Sequence, residues 1–314
     1  MKLHTDIEHL PVFNKAVVTI GTFDGVHLGH QKILSQLRAA AGKIGGESVI
    51  ITFNPHPRKI VYHKQAVPLI TTLEERIERL ASSGIDHLVI VPFTHDFAEQ
   101  EPQAYVESFL KKRFNPSVVI IGYDHRFGKD RKGDYKLLEE YSEKGYFELR
   151  EIPQHVINDI TVSSTNIREN ILKGNIAKVN ELLGYDFSFE GEVIKGDRIG
   201  RQLGYPTANL KILNEEKIIP GDGIYAVKVQ VKNKDVFFGG MMSIGIRPTV
   251  GGTKRTIEVN IFDFDEDIYG KPLRVYFLEY LRSEVKFDSL EDLKVQLGKD
   301  KESTLGVLNK KQKQ

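Results

Sequence analysis

Two histidines three residues apart, His27 and His30, stand in the stretch Gly21-Thr22-Phe23-Asp24-Gly25-Val26-His27-Leu28-Gly29-His30. Glycines permit close backbone approach to a ligand, and a loop that feeds a helix aims N–H groups and the positive end of the helix dipole at an anion. Phosphate chemistry follows, with both imidazoles able to face one phosphate group. A glycine-rich turn with two incidental histidines is the bland alternative. Further on, Val162-Ser163-Ser164-Thr165-Asn166-Ile167-Arg168 offers three hydroxyls and a guanidinium at the mouth of a helix running to Lys173; an ordinary N-cap would use the same hydroxyls. A third segment, Gly196-Asp197-Arg198-Ile199-Gly200-Arg201-Gln202-Leu203-Gly204-Tyr205-Pro206-Thr207-Ala208-Asn209-Leu210, again gathers glycine, arginine and short oxygen-bearing side chains. It lacks the Gly-Lys-Ser/Thr ending of a Walker loop, and a structural hairpin would also use its glycines and proline. Glu258 lies opposite Ile257 and Val259 on a pleat, facing either solvent or a cleft.

These segments need elements to position them. Up to about Tyr185, β-branched runs at Ala16–Ile20, Ser48–Phe53, His87–Phe93, Val118–Ile121 and Phe147–Ile152 read as strands. Between them, Ile33, Leu34, Leu37 and Ala41 fall at helical spacing, and Thr72 with Glu75 makes a capping box ahead of Leu73, Ile77 and Leu80. Alternating strand and helix predicts a doubly wound parallel sheet, whose ligands lie outside the carboxyl ends of the strands. After Gly184, strict alternation at Tyr225, Val227, Val229 and Val231, at Ile257, Val259 and Ile261, and at Leu273, Val275 and Phe277 predicts antiparallel strands in a small barrel or sandwich. Asn233-Lys234 and Asp265-Glu266-Asp267 read as turns. Asp263, Asp265 and Asp267 mimic a calcium loop, but its sixth and twelfth positions hold Ile268 and Arg274, so a solvated acidic turn is the better reading. Ser289 and Asp292 have capping-box spacing before a last helix, and the tail from Lys310 reads as frayed.

Composition bounds the function. The chain has 314 residues, enough for two domains. Its 44 Lys+Arg against 43 Asp+Glu leave a net charge of +1, which provides no field to gather nucleic acid or an anionic membrane surface. The absence of cysteine excludes disulfides, thiolate zinc sites and a cysteine nucleophile. No stretch approaches the roughly 20 apolar residues of a membrane span, and the first residues lack a signal-peptide pattern. A cytoplasmic protein is expected. The sequence is compatible with self-association.

His27-Leu28-Gly29-His30 paired with Ser163-Ser164-Thr165-Asn166-Ile167-Arg168 resembles the nucleotidylyltransferase superfamily, specifically the adenylylating module of bacterial FAD synthetases. Thr52-Phe53-Asn54-Pro55-His56-Pro57 and Gly122-Tyr123-Asp124-His125-Arg126-Phe127-Gly128 are similar to further motifs of that family. Gly200-Arg201-Gln202-Leu203-Gly204-Tyr205-Pro206-Thr207-Ala208-Asn209 resembles the riboflavin kinase signature, implying a six-stranded antiparallel barrel. The joint resemblance implies a Rossmann-like adenylyltransferase domain over residues 1–185 and a kinase barrel with a C-terminal helix over 186–314. It implies phosphorylation of riboflavin to FMN, then adenylyl transfer from ATP to FMN giving FAD, with Mg²⁺ accompanying ATP. His27, His30 and Glu258 would be catalytic, Glu258 as general base. Phosphates would meet Gly21, Phe23, Asp24, Gly25, Gly29, Ser163, Ser164, Thr165 and Arg168 in the first domain, and Gly196, Gly200, Arg201, Gly204 and Pro206 in the second. The flavin would meet Asn54, His56, Asp124, Phe127 and Arg282, and the metal Thr207 and Asn209. Two positions depart from the family pattern: Asn260, where histidine is usual, and Ser243, where asparagine is common. A single surviving activity, a flavin sensor without turnover, and a cytidylyltransferase fused to an unrelated barrel are the alternatives.

Overall fold

The computed structural model describes residues 1–61, 67–122, 125–152, 162–196, 199–232, 234–249 and 252–312; Asp124, Asp197, Arg198 and Asn233 lie outside them. The chain forms two compact units, Met1–Ser164 and Thr165–Gln314.

The first unit is built on six parallel strands: β1 (Lys2–His4), β2 (Val17–Ile20), β3 (Ser48–Asn54), β4 (His87–Pro92), β5 (Val118–Gly122) and β6 (Glu148–Ile152), in the order β1-β4-β3-β2-β5-β6. Successive side chains enter opposite cores. Val17, Ile50, Leu88 and Ile120 pack with Leu34, Leu37 and Leu80, while Val18, Ile51, Val89 and Ile121 pack with Tyr105, Phe109, Phe114 and Tyr141. Both faces are thus covered, as a parallel sheet requires. Strand order reverses at β2, so the crevice for a ligand falls at the carboxyl ends of β2 and β5. β1, three residues long, is an edge strand that sequence periodicity does not register.

The second unit holds β7 (Ser188–Ile194), β8 (Ala208–Ile212), β9 (Gly223–Val231), β10 (Phe237–Thr249), β11 (Gly252–Ile261) and β12 (Pro272–Arg282), closed as the antiparallel barrel β10-β11-β8-β7-β12-β9. Closure removes the sheet edges. The alternating Tyr225, Val227, Val229 and Val231 are buried, as are Leu273, Val275 and Phe277. A bulge between Phe277 and Glu279 shifts the pleat, and Leu278 packs with Ala226 against Val307 of the last helix. The helix Ser164–Leu172, from Thr165 onward, and the helix Ile176–Leu183 also belong to this unit. Asn180 accepts from the Phe187 N–H at 2.8 Å and donates to the Phe277 carbonyl at 2.8 Å, fastening the second of them to the barrel. The final helix, Leu290–Gln312, is capped by Ser289, whose Oγ accepts from the Asp292 N–H at 3.1 Å. The expected fraying from Lys310 gives way to helix through Gln312, with the Lys311 ammonium 2.9 Å from Asp186.

Candidate active sites

In the first unit the loop after β2 is tightly folded and strained. Phe23 and Val26 take positive φ (50° and 37°), unusual for side chains of their bulk. Asp24 explains how the loop is held. One carboxylate oxygen accepts from the Ile70 N–H at 3.1 Å, the other from the Thr71 N–H at 2.9 Å and the Thr71 hydroxyl at 3.1 Å. The Gly25 N–H returns a bond to Thr71 Oγ1, and Gly25 needs its φ of +85°. Asp24 is thus engaged by the loop's own frame, and Gly21 is tied to the sheet through Ile51.

His27 ends this loop as N-cap of the helix Leu28–Ile44: its Nδ1 accepts from the His30 N–H at 3.3 Å. In neutral His27 the proton therefore sits on Nε2, which becomes a donor. The two imidazoles stack at 3.7 Å, with Gly29 leaving room beside the His27 ring. Burial, followed by the neighbouring His27 and Arg76, holds the His30 pKa well below its ordinary value, so the ring is neutral at physiological pH. Its enclosed Nδ1 has no partner among the described residues. Ser164 reaches the same loop, donating to the Asp24 carbonyl at 3.0 Å. Ser163 and Thr165 are exposed, and Arg168 is buried on the helix Ser164–Leu172 in the second unit.

Asn54 is exposed at the end of β3, and His56 receives the Arg58 N–H on Nδ1 at the start of the short helix Pro57–Val61. Phe127 is buried and stacks on Tyr105 at 4.7 Å. Tyr105 was not singled out by sequence reasoning. Its buried phenol has no hydrogen-bond partner among the described residues, and burial raises its pKa.

The second unit brings its motif residues together on the barrel. Gly200 lies so close to the Tyr205 carbonyl that a Cβ would approach it to 2.3 Å, and Gly204 takes φ +82°. Both glycines are required by the turn that returns the chain to β8. Gly196 packs against the Asn209 amide, where a Cβ would fall 2.1 Å from Nδ2. Glu258 and Asn209 are register partners across β11 and β8, and Thr207 Oγ1 donates to Glu258 Oε2 at 3.2 Å. Glu258 is half-buried and lines a cavity, which answers the pleat question in favour of a cleft.

Two cavities meet at Thr207. The first, about 300 Å³, is walled by Leu203, Tyr205, Met241, Phe287, Leu293 and Leu297, with Glu258, Asn260 and Ser243 also in its lining. The second, about 660 Å³, is lined by Arg201, Pro206 and the acidic turn Asp265-Glu266-Asp267. That turn therefore borders a cavity, beyond the solvated role expected of it. Arg282 lines the first cavity, but its guanidinium is held bidentately by Asp300 at 2.8 and 2.6 Å and donates to the Ser283 carbonyl. The two departures from the family pattern have local partners. Asn260 donates to the Pro206 carbonyl at 2.6 Å, fixing the signature loop, and Ser243 donates to Glu284 at 3.2 Å.

A metal that travels with the nucleotide suits this donor set. Thr207, Asn209 and Glu258 supply hard oxygens but only one carboxylate, and among the described residues no group of three His, Cys, Asp or Glu could cage an ion alone.

The sequence model of the FAD synthetase family matches residues 10–166, and that of the riboflavin kinase family matches residues 183–308. A bifunctional riboflavin kinase/FMN adenylyltransferase of Listeria monocytogenes is 38% identical, covering 92% of this chain and 91% of its own length. The bifunctional enzyme of Haemophilus influenzae is 34% identical over 95% of this chain and 96% of its own, and that of Escherichia coli 33% identical over 90% of each. A crystal structure described as a macrolide-efflux protein from Streptococcus pneumoniae superposes with a TM-score of 0.84 at 32% identity, covering 96% of this chain and 98% of that one. Among the described residues no helix is long and apolar enough to cross a membrane. With its parallel-sheet unit matched by one model and its barrel by the other, the chain belongs to the bifunctional riboflavin kinase/FMN adenylyltransferase family.

Proposed function

We propose that this cytoplasmic enzyme phosphorylates riboflavin within residues 186–314, with Glu258 as base, and adenylylates the FMN so formed within residues 1–185, with His27 and His30 at the reacting phosphate. The observation that carries the kinase assignment is the meeting of two unlike cavities at Thr207, next to Glu258. The smaller, apolar-walled one suits a flat isoalloxazine, and the larger, polar one suits a nucleotide. A terminal ribityl hydroxyl reaching the junction gives its proton to Glu258 as its oxygen bonds to the γ-phosphorus and the bond to the β-phosphate oxygen breaks, releasing ADP. Thr207 orients the carboxylate by donating to Oε2. Mg²⁺ would be held by Thr207 and Asn209 with the nucleotide phosphates, and it supplies neutralisation of their charge. Gly196, Gly200, Arg201, Gly204 and Pro206 shape the loop that borders both cavities.

In adenylyl transfer an FMN phosphate oxygen bonds to the α-phosphorus of ATP and the bond to pyrophosphate breaks. No covalent enzyme intermediate is needed, so the protein positions and neutralises. His27 donates from Nε2, because its Nδ1 caps the helix, and neutral His30 stacks beside it. Ser163 and Ser164, with Thr165 and Arg168 after them in the chain, take the outgoing phosphates by their motif. Asn54, His56, Asp124 and Phe127 are assigned to the flavin on the same ground.

The test incubates the full chain with riboflavin, ATP and Mg²⁺ and separates the flavins chromatographically over time. Wild type gives FMN and then FAD, His27→Ala stops at FMN, and Glu258→Ala makes nothing from riboflavin while still converting supplied FMN to FAD. Full FAD formation by His27→Ala, or FMN formation by Glu258→Ala, would remove the corresponding assignment.

A further inference from the structure

Arg76 lies outside every motif above, yet it joins two of them. It projects from the helix Leu73–Ala81, whose start is fixed by the reciprocal capping box of Thr72 and Glu75. The residue is 4% exposed. Nη1 donates to the Thr22 carbonyl at 2.6 Å and Nη2 to the Phe53 carbonyl at 3.1 Å, while Nε has no partner among the described residues. Thr22 belongs to the loop that leads from β2 to His27, and Phe53 is followed by Asn54-Pro55-His56 at the end of β3. The Thr22 carbonyl is also gripped from the sheet side by Thr52 Oγ1 at 3.1 Å.

Burying a guanidinium against neutral carbonyls is costly, and an apolar side chain would fill this volume at lower cost. What the arginine supplies is a rigid planar fork that can hold two carbonyls on different loops at once; an ammonium is a point donor without that geometry. Both loops leave the carboxyl ends of neighbouring strands, where ligands sit in this fold.

We propose that Arg76 is a positioning residue for adenylyl transfer, fixing the separation between the loop that carries His27 and the turn that begins at Asn54. The proposal rests on the reading of His27 and His30 given above. Its charge also acts on His30, together with His27, while Asp24 and Glu74 face the guanidinium itself. Losing that charge moves His30 toward easier protonation.

The test compares Arg76→Met, which keeps length without charge or fork, with Arg76→Lys, which keeps the charge alone. Both are made in the full chain, and riboflavin phosphorylation by the same sample reports the folding of the barrel. A displacement of about 1 Å between reacting groups costs on the order of 100-fold, so Arg76→Met is expected to lower kcat/KM for FMN adenylylation about 100-fold, chiefly in kcat. The acidic limb of its pH profile moves to higher pH. Arg76→Lys is expected to lose roughly tenfold with the limb in place, because the cation remains, and kinase activity stays within about twofold in both. Adenylylation by Arg76→Met within about threefold of wild type, or full recovery in Arg76→Lys, overturns the proposal. If Arg76→Met loses the fold of the first unit, Arg76→Lys carries the test through its kcat and unshifted limb. His27→Ala assayed alongside separates the two claims: if it still makes FAD, the histidine reading fails; if it does not while Arg76→Met does, only the Arg76 proposal fails.

Discussion

Gly196→Ala probes the kinase site through a contact made by one methyl group. The added Cβ would fall 2.1 Å from Asn209 Nδ2, 2.5 Å from Cγ and 2.8 Å from Oδ1. Ordinary contact distances are roughly 3.5–4 Å, so the amide must move by more than about 1 Å. It is the far end of a short side chain, and β8 need not follow: Asn209 can swing to a poorer rotamer at about 0.5–1.5 kcal/mol. The melting temperature of the barrel unit should fall by only a few degrees, at roughly 2–4 °C per kcal/mol for a unit of this size. Activity should suffer more. Displacing a ligand-side oxygen by about 1 Å costs on the order of 100-fold, read as a lower kcat for riboflavin phosphorylation and a higher Mg²⁺ requirement, while conversion of supplied FMN to FAD is unchanged. The assay is steady-state FMN formation across a Mg²⁺ titration, with adenylylation and thermal melting on the same sample. A well-folded Gly196→Ala protein with wild-type kcat and Mg²⁺ dependence would refute the placement of Asn209 on the ligand side.

Three further outcomes are expected. Glu258→Gln should lower riboflavin phosphorylation 10²- to 10⁴-fold, the usual worth of a general base, with little change in riboflavin KM; chromatographic rates at saturating riboflavin decide this. Asp300→Ala strips Arg282 of its bidentate partner, one 4% and the other 21% exposed as side chains. It should cost about 2–4 kcal/mol in denaturant unfolding, somewhat under the figure for a fully buried pair, and raise riboflavin KM because both residues line the cavity. For pH, the folded protein holds His30 neutral while the unfolded chain protonates it near pH 6.5. The unfolded state therefore binds more protons as pH falls below about 6.5, and stability is lost there by up to about 1.4 kcal/mol per pH unit. Urea midpoints of the first unit from pH 7.5 to 5.5 should fall less steeply in His30→Gln, and an unchanged slope would contradict the buried neutral ring.

Much of the scaffold was legible because its signals are local. The Thr72–Glu75 capping box, the strands at Ser48 and His87, and the alternation from Tyr225 to Val231 depend on neighbours within a turn or along one strand, and each forms as read. Glycine spacing marked the two loops, since positive φ and close approach leave few other residues possible. Less local were β1, too short to show a period and defined only by pairing with β4, and the last turn of the final helix, where Lys311 meets Asp186, 125 positions away.

The motifs alone determined which residues gather in each loop and what chemistry those types can perform. Only the tertiary structure decided that Glu258 faces a cleft beside Thr207, that Asp24 and Arg282 are engaged by Thr71 and Asp300, and that Arg76 grips two loops from a helix outside both. These pairings span 18 to 54 positions in sequence. No helical or strand period encodes them, because they arise from how strand order and helix packing fold distant backbone into contact.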